Sequence, residues 1–120
     1  MSVNEEPVAS PGFVERNGLW SPLHVEAGAE MIRKVRGEGV EAVRFSFADQ
    51  HGILRGKSIL ADGVAHALEN GVSMTTTLLA KDTSHRTVYP LWAAGGGFDM
   101  RKMPGGADFI MVADPPTFRL

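Results

Sequence analysis

The sequence predicts a small α+β domain. A helical spacing of apolar residues over about residues 22–36 gives way to a strict alternation of apolar and polar residues over 43–47. A tight turn that ends in glycine then joins this alternating strand to a second one, as in a β-hairpin. The chain has 120 residues, of which 12 are Lys or Arg and 14 are Asp or Glu, and this size and charge balance are typical of one folded domain.

The first helix is predicted to begin at Ser21-Pro22, because serine is a favoured cap residue and proline fits the first helical position. Gly37 is expected to end this helix. Residues 1–20 carry proline and glycine among small polar residues, which predicts a flexible arm in front of a domain spanning 21–120. The residues expected to face the core recur at helical spacing: Val25, Ala29, Ile32 and Val35.

A hairpin is predicted next. Its first strand has one apolar face, its turn reads Asp49-Gln50-His51-Gly52, and its second strand covers residues 53–60. Arg55 and Lys57 are two residues apart on the second strand and therefore share a face. Such a pair usually faces solvent, and less often it binds an anionic ligand or the acidic patch of a partner.

The second half of the chain predicts a short helix capped by Asp62 and closed by Gly71, a strand over 72–79 and a buried strand over 109–113. Residues 80–107 have no sustained period, which predicts a long irregular loop of functional importance. The order of elements resembles a β-grasp (ubiquitin-like) roll. In that arrangement a small mixed sheet curls over a crossing helix, here with an additional N-terminal helix.

Composition and motifs exclude several kinds of site. There is no cysteine, the four histidines form no H-x-x-x-H pair, and the triple glycine at 95–97 lacks phosphate-loop spacing. His85 is expected to fix its loop by a hydrogen bond. No basic cluster or membrane-length apolar run occurs, and the first residues are acidic, so neither nucleic acid nor membrane is an expected partner and a cytoplasmic location is predicted.

Two segments resemble the glutamine synthetase family. Residues 43–57 read V-R-F-S-F-A-D-Q-H-G-I-L-R-G-K, similar to the family's opening hairpin. Residues 109–119 read F-I-M-V-A-D-P-P-T-F-R, similar to the strand and corner ahead of the family's catalytic domain. The resemblance covers about residues 23–120. It implies the amino-terminal β-grasp domain of an ATP-dependent ligase that activates glutamate as γ-glutamyl phosphate and joins it to ammonia or an amine.

The resemblance also implies where the chemistry lies. ATP and Mg²⁺ or Mn²⁺ are expected on the carboxy-terminal catalytic domain, which is absent from this chain, so no catalytic or metal-binding residue is expected here and the chain alone is expected to be inactive. The domain is expected to pack in a homo-oligomeric ring, against the catalytic domains of its own and the adjacent subunit, and to complete the amine-binding edge of the adjacent active site.

Three residues are candidates for that edge. Bacterial glutamine synthetases carry F-D-G-S-S at the end of the third strand, and alignment on Gly71 places Thr75 where the ammonium-binding aspartate stands. A hydroxyl is an acceptor without charge, which favours a larger amine over ammonia. Asp82 is the candidate for the missing charge, and Trp92 is the candidate covering residue.

An alternative is a free-standing ubiquitin-like interaction module without catalysis, which would end naturally at Leu120. The opening of another element over residues 117–120 instead predicts that the chain is a piece of a longer protein. An in-frame catalytic domain after Leu120 would favour the ligase, and a stop codon would favour the module.

Overall fold

The computed structural model describes residues 11–86 and 108–120, and it confirms the α+β class. Strands β1 and β2 pair antiparallel, as do β3 and β4, so the described strands form two small sheets where a single mixed sheet was expected. The arrangement is compatible with a β-grasp-like domain. The helices and strands are α1 Phe13–Arg16, α2 Pro22–Gly37, β1 Ala42–Ala48, β2 Leu54–Leu60, α3 Val64–Asn70, β3 Val72–Thr75 and β4 Asp108–Met111.

Helix α2 begins where the sequence predicts. The Ser21 hydroxyl accepts a hydrogen bond from the His24 amide, and the His24 ring accepts one from the Ser21 amide, which forms a capping box. The buried face differs from the prediction, because Val25 and Ala29 are exposed. A Cβ at position 28 would lie 3.2 Å from the Trp20 ring, so this ring packs closely over the helix. The face that the helix buries consists of Gly28, Met31 and Val35.

The hairpin is confirmed. Its register places Phe45 opposite Lys57 and Phe47 opposite Arg55, so both cationic residues lie on the face that carries the phenylalanines. The core lies between this face and helices α2 and α3. Its buried side chains are Met31, Val35, Val43, Phe45, Val64, Ala67, Leu68 and Val72.

Helix α3 buries Val64, Ala67 and Leu68, but its predicted cap is wrong. A short 3₁₀ turn, Ala61–Gly63, precedes the helix, so Gly63 occupies the cap position and no side chain caps the helix. Gly71 closes α3 with φ +73°, and its amide donates to the Ala67 carbonyl. A left-handed backbone of this kind is ordinary only for glycine.

Strand β3 is shorter than predicted. It ends at Thr75, because the Thr75 hydroxyl accepts a hydrogen bond from the Thr77 amide and the chain turns into a 3₁₀ helix, Thr76–Ala80. Strand β4 ends at Met111 rather than at residue 113, because Met111 lies opposite Val72, the first residue of β3. A third 3₁₀ turn, Pro115–Thr117, follows.

Part of the predicted arm is packed. Val14 in α1 is only 3% exposed, and the Phe13 amide donates to the Asn70 side chain at the end of α3. A helix of four residues has no readable periodicity, which is why the sequence did not predict it. Residues 1–10 of the arm and residues 87–107 of the predicted loop lie outside the described residues. In the described part of the chain, no helix has the length and apolar character needed to cross a bilayer.

Candidate functional site

The hairpin turn is organised by Asp49. Its Oδ1 accepts hydrogen bonds from the amides of His51 at 2.8 Å and Ile53 at 2.9 Å, and Gly52 supplies the left-handed residue that the turn needs. Burial of the carboxylate raises the pKa of Asp49, but the amides of Ile53 and His51 and the guanidinium of Arg55 together outweigh this effect. The net pKa of Asp49 therefore lies below the ordinary aspartate value, and the group is ionised at neutral pH.

Arg55 is buried against this turn. Its side chain is 9% exposed and that of Asp49 is 0% exposed, and Arg55 Nε donates to Asp49 Oδ2 at 3.1 Å. The Arg55 and Lys57 pair was expected either to face solvent or to bind an anionic ligand or a partner. Arg55 does neither, because it binds a carboxylate of its own chain. Lys57 is exposed, and its ammonium donates to the Ser73 carbonyl on β3 at 2.6 Å.

Three side chains of the hairpin hold the segment that follows β3. Gln50 Nε2 donates to the Leu79 carbonyl at 2.7 Å, and His51 Nε2 donates to the Lys81 carbonyl at 3.2 Å. Arg55 Nη1 donates to His85 Nδ1 at 2.7 Å. Since a guanidinium carries only donors, Nδ1 of His85 is the acceptor and the ring proton lies on Nε2. The contact agrees with the prediction that His85 fixes its loop through a hydrogen bond.

Asp82 forms a turn of its own. All three hydrogen bonds to its carboxylate fall on Oδ1, from the Ser84 amide at 2.9 Å, the Ser84 hydroxyl at 2.8 Å and the Arg86 amide at 2.9 Å. The Arg86 amide and the Ser84 hydroxyl are the main reasons that the pKa of Asp82 lies below its ordinary value, and the nearby His51 contributes in the same direction. Within residues 11–86 and 108–120, Oδ2 has no hydrogen-bond partner.

Thr75 and Asp82 lie at the two ends of one short segment. Thr75 is half-buried at the end of β3, where its hydroxyl oxygen accepts from the Thr77 amide at 3.4 Å and the Thr77 hydroxyl at 3.2 Å. The 3₁₀ helix Thr76–Ala80 separates it from Asp82, and no hydrogen bond joins the two described side chains. Trp92 lies outside the described residues, so its covering role stays a prediction.

Sequence reasoning did not assign Gln50, His51 and Arg55 to this site. A signal for Arg55 was present, because an antiparallel hairpin closed by a short turn fixes which residues face each other. Counting outward from the turn places Arg55 opposite Phe47, on the apolar face, where a lone cation needs a partner. The contacts of Gln50 and His51 have no such signal, since they join residues 29 and 30 positions apart.

A groove with a volume of about 590 Å³ lies between β1 and residues 111–120, and its lining is largely apolar. Neither Thr75 nor Asp82 lines this groove, so the groove and the predicted amine edge are separate features. Among the described residues, no group of three or more histidine or acidic side chains has the arrangement to hold a metal ion.

Comparison with known proteins agrees with the resemblance at the level of the family. The chain is 30% identical over 111 residues to a γ-glutamylanilide synthase of an Acinetobacter species. The match covers 90% of this chain and 22% of that protein, so the chain spans about a fifth of the length of this curated relative. No protein-family model matches the chain. A glutamine synthetase-like γ-glutamyl ligase is therefore a homologue of this chain.

Proposed function

We propose that the chain is the amino-terminal domain of a glutamine synthetase-like ligase that joins glutamate to ammonia or an amine with consumption of ATP. The similarity to γ-glutamylanilide synthase over 90% of the chain supports this proposal. In the proposed reaction, ATP phosphorylates the γ-carboxylate of glutamate. The amine nitrogen then attacks the acyl phosphate, the amide bond forms, phosphate leaves, and the nitrogen releases a proton.

The domain contributes the amine-binding edge of an adjacent subunit's active site. The observation that carries this role is the carboxylate of Asp82, which is ionised, oriented by three donors on one oxygen and, among the described residues, without a hydrogen-bond partner on the other. An ammonium or alkylammonium ion needs a negative charge and an oxygen acceptor, and Oδ2 offers both. The Thr75 hydroxyl and Trp92 are assigned to the same edge.

ATP and its divalent cation belong to another part of the enzyme in this proposal. A Mg²⁺ or Mn²⁺ ion bound by protein requires several oxygen ligands, and the described residues contain no cluster that fits one. As the family resemblance implies, the metal and the nucleotide are assigned in this proposal to a carboxy-terminal catalytic domain outside this chain. Subunits in a ring would bring that domain against the edge formed by Asp82.

The amine is proposed to be an organic amine rather than ammonia. Thr75 stands where the family resemblance places a charged aspartate, and its hydroxyl is an uncharged acceptor. The similar Acinetobacter protein is named for an anilide. Alkylamines are cations at neutral pH, whereas aniline is a weak base and enters uncharged. Asp82 would form an ion pair with the first kind and accept an N–H hydrogen bond from the second.

The test uses the full-length protein that contains this chain, with ATP, glutamate and a panel of ammonia, alkylamines, a polyamine and aniline. Phosphate release measures turnover, and mass spectrometry identifies the γ-glutamyl product. Asp82→Asn removes the charge and keeps an oxygen acceptor, so the KM for cationic amines should rise about tenfold, equivalent to a loss of about 1.4 kcal/mol, with a smaller change for aniline.

Asp62→Asn is the matched control, because it makes the same substitution at an exposed residue of the turn before α3. It should leave all KM values unchanged. Absence of phosphate release with every amine would overturn the ligase proposal, and an unchanged KM in Asp82→Asn would overturn the role of Asp82.

A further inference from the structure

Arg55 joins the hairpin to the turn that carries Asp82. We infer that Arg55 and His85 are positioning residues, whose hydrogen bond holds the Asp82 carboxylate in place at the amine edge. This inference rests on the proposed function, and it adds two residues to which neither the family resemblance nor the comparison gives a role. Both act on Asp82 through the backbone and are not in contact with the amine.

The Arg55 end of the contact is rigid. Its guanidinium lies on β2 and is fixed through Nε by the Asp49 carboxylate, whose side chain has no exposed surface. Nη1 then donates to His85, while Nη2 is buried and has no hydrogen-bond partner among the described residues. Asp49 and His85 are thus the two side chains that orient the guanidinium in this part of the structure.

The His85 end is coupled directly to Asp82. The His85 amide donates to the Asp82 carbonyl at 3.1 Å, and the Asp82 amide donates to the Arg86 carbonyl at 2.8 Å. His85 also has φ +66°, a conformation that is uncommon for a residue with a side chain. Because Asp82 and His85 share one closed turn, a shift of the His85 ring moves the backbone from which the Asp82 carboxylate projects.

The other contacts of the hairpin do not replace this one. Gln50 and His51 bind the carbonyls of Leu79 and Lys81, which precede Asp82. They fix the entry to the turn, and the Arg55–His85 bond fixes its far side. Loss of the Arg55–His85 bond leaves the far side of the turn without its contact to the hairpin, and the Asp82 carboxylate then loses its defined direction.

Two substitutions at position 85 separate the hydrogen bond from the backbone conformation. Glycine accepts a positive φ readily but offers no acceptor, so His85→Gly keeps the turn and removes the bond to Arg55. Asparagine also tolerates a positive φ, and its Oδ1 lies at the same distance along the side chain as Nδ1 of histidine. His85→Asn should therefore restore the contact. His85 is exposed, so neither change disturbs the core.

In the full-length protein, His85→Gly should raise the KM for the amine about tenfold, because a small displacement of an orienting group weakens binding strongly. The KM values for ATP and glutamate should not change, and His85→Asn should return the amine KM to within about threefold of the wild-type value. Lys57→Met is the control, since it removes a neighbouring cation of β2 whose hydrogen bond is to Ser73 instead. Unchanged amine KM in His85→Gly, or an equal rise in all three KM values, would overturn the inference.

A second measurement on the same protein separates this inference from the proposed function. In spectra with ¹⁵N-labelled histidine, the signals lost in His85→Asn identify the His85 ring, which should have an unprotonated Nδ1 and a protonated Nε2. A protonated Nδ1 at neutral pH would overturn the positioning role even if the enzyme is active. A wild-type protein that is inactive with every amine but shows the expected ring state would overturn the ligase proposal and retain the Arg55–His85 contact.

Discussion

Substitution of Gly71 by alanine should destabilise the protein more than the same substitution at Gly39, a glycine that shares its positive φ but has open space around it. Gly71 lies between α3 and β3 with φ +73° and ψ −177°. A Cβ at this position would overlap the Ile110 side chain and lie 2.9 Å from the Met111 carbonyl oxygen. The close approach exists because β4 passes directly beside the end of α3.

The expected loss of stability in Gly71→Ala has two parts. An alanine at this φ and ψ carries a strain of about 1–3 kcal/mol, since the region is essentially restricted to glycine. Displacing Ile110 or the Met111 carbonyl adds about 1–3 kcal/mol, as for other overpacked sites. Gly39 supplies the matched control, because it has φ +65° but a Cβ added there would meet no atom within 4 Å. Gly39→Ala should lose only about 1–2 kcal/mol.

Urea unfolding of the wild-type protein and the two variants measures how much unfolding free energy each variant loses. The expected result is a larger loss for Gly71→Ala, by about 1 kcal/mol or more, with the slope of the unfolding free energy against urea unchanged. Equal losses in the two variants would refute the reasoning, since they would show that β4 does not pack against the end of α3.

Two further predictions concern the pH dependence of stability and the catalytic activity of the chain alone. The pKa of Asp49 is lower in the folded protein than its ordinary value. The ionised carboxylate therefore stabilises the fold above that ordinary value, and this contribution is lost as the pH falls through the folded pKa. The free energy of unfolding should decline below about pH 4. Urea unfolding across the pH range should show a smaller decline in Asp49→Asn, and an identical decline would contradict the role of the turn. The 120-residue chain alone should release no phosphate from ATP in the presence of glutamate and an amine, and measurable turnover would place the chemistry within these residues.

Local interactions explain what could be predicted. The start of α2 depends on Ser21 and Pro22, which are adjacent, and the hairpin depends on Asp49 and Gly52 within one turn. Each of these features closes its hydrogen bonds over a few residues, so a short stretch of sequence contains all the information. The same is true of the Gly71 terminus of α3.

The predictions that were wrong, for α2, β3 and the cap of α3, have other causes. The face that α2 buries depends on Trp20 packing over Gly28, which does not appear in a periodic pattern. Strand β3 ends early because the Thr75 hydroxyl caps the 3₁₀ helix that follows it. Asp62 fits the composition of a cap, yet the chain makes a 3₁₀ turn at that point and Gly63 takes the position. For α2, packing with another part of the chain overrode a weak local preference.

The sequence by itself therefore determined the α+β class, the position of α2, the hairpin and the identity of Asp82 as a candidate charge. Only the tertiary structure decided that Arg55 is buried and that its partner is His85, 30 residues further along the chain. It also decided that the Ser84 and Arg86 amides fix one oxygen of Asp82, while the other has no hydrogen-bond partner in the part of the chain that the structure describes. The physical reason is that backbone propensity acts over a few neighbouring residues, whereas the partner of a buried charge depends on which distant segments the core brings together.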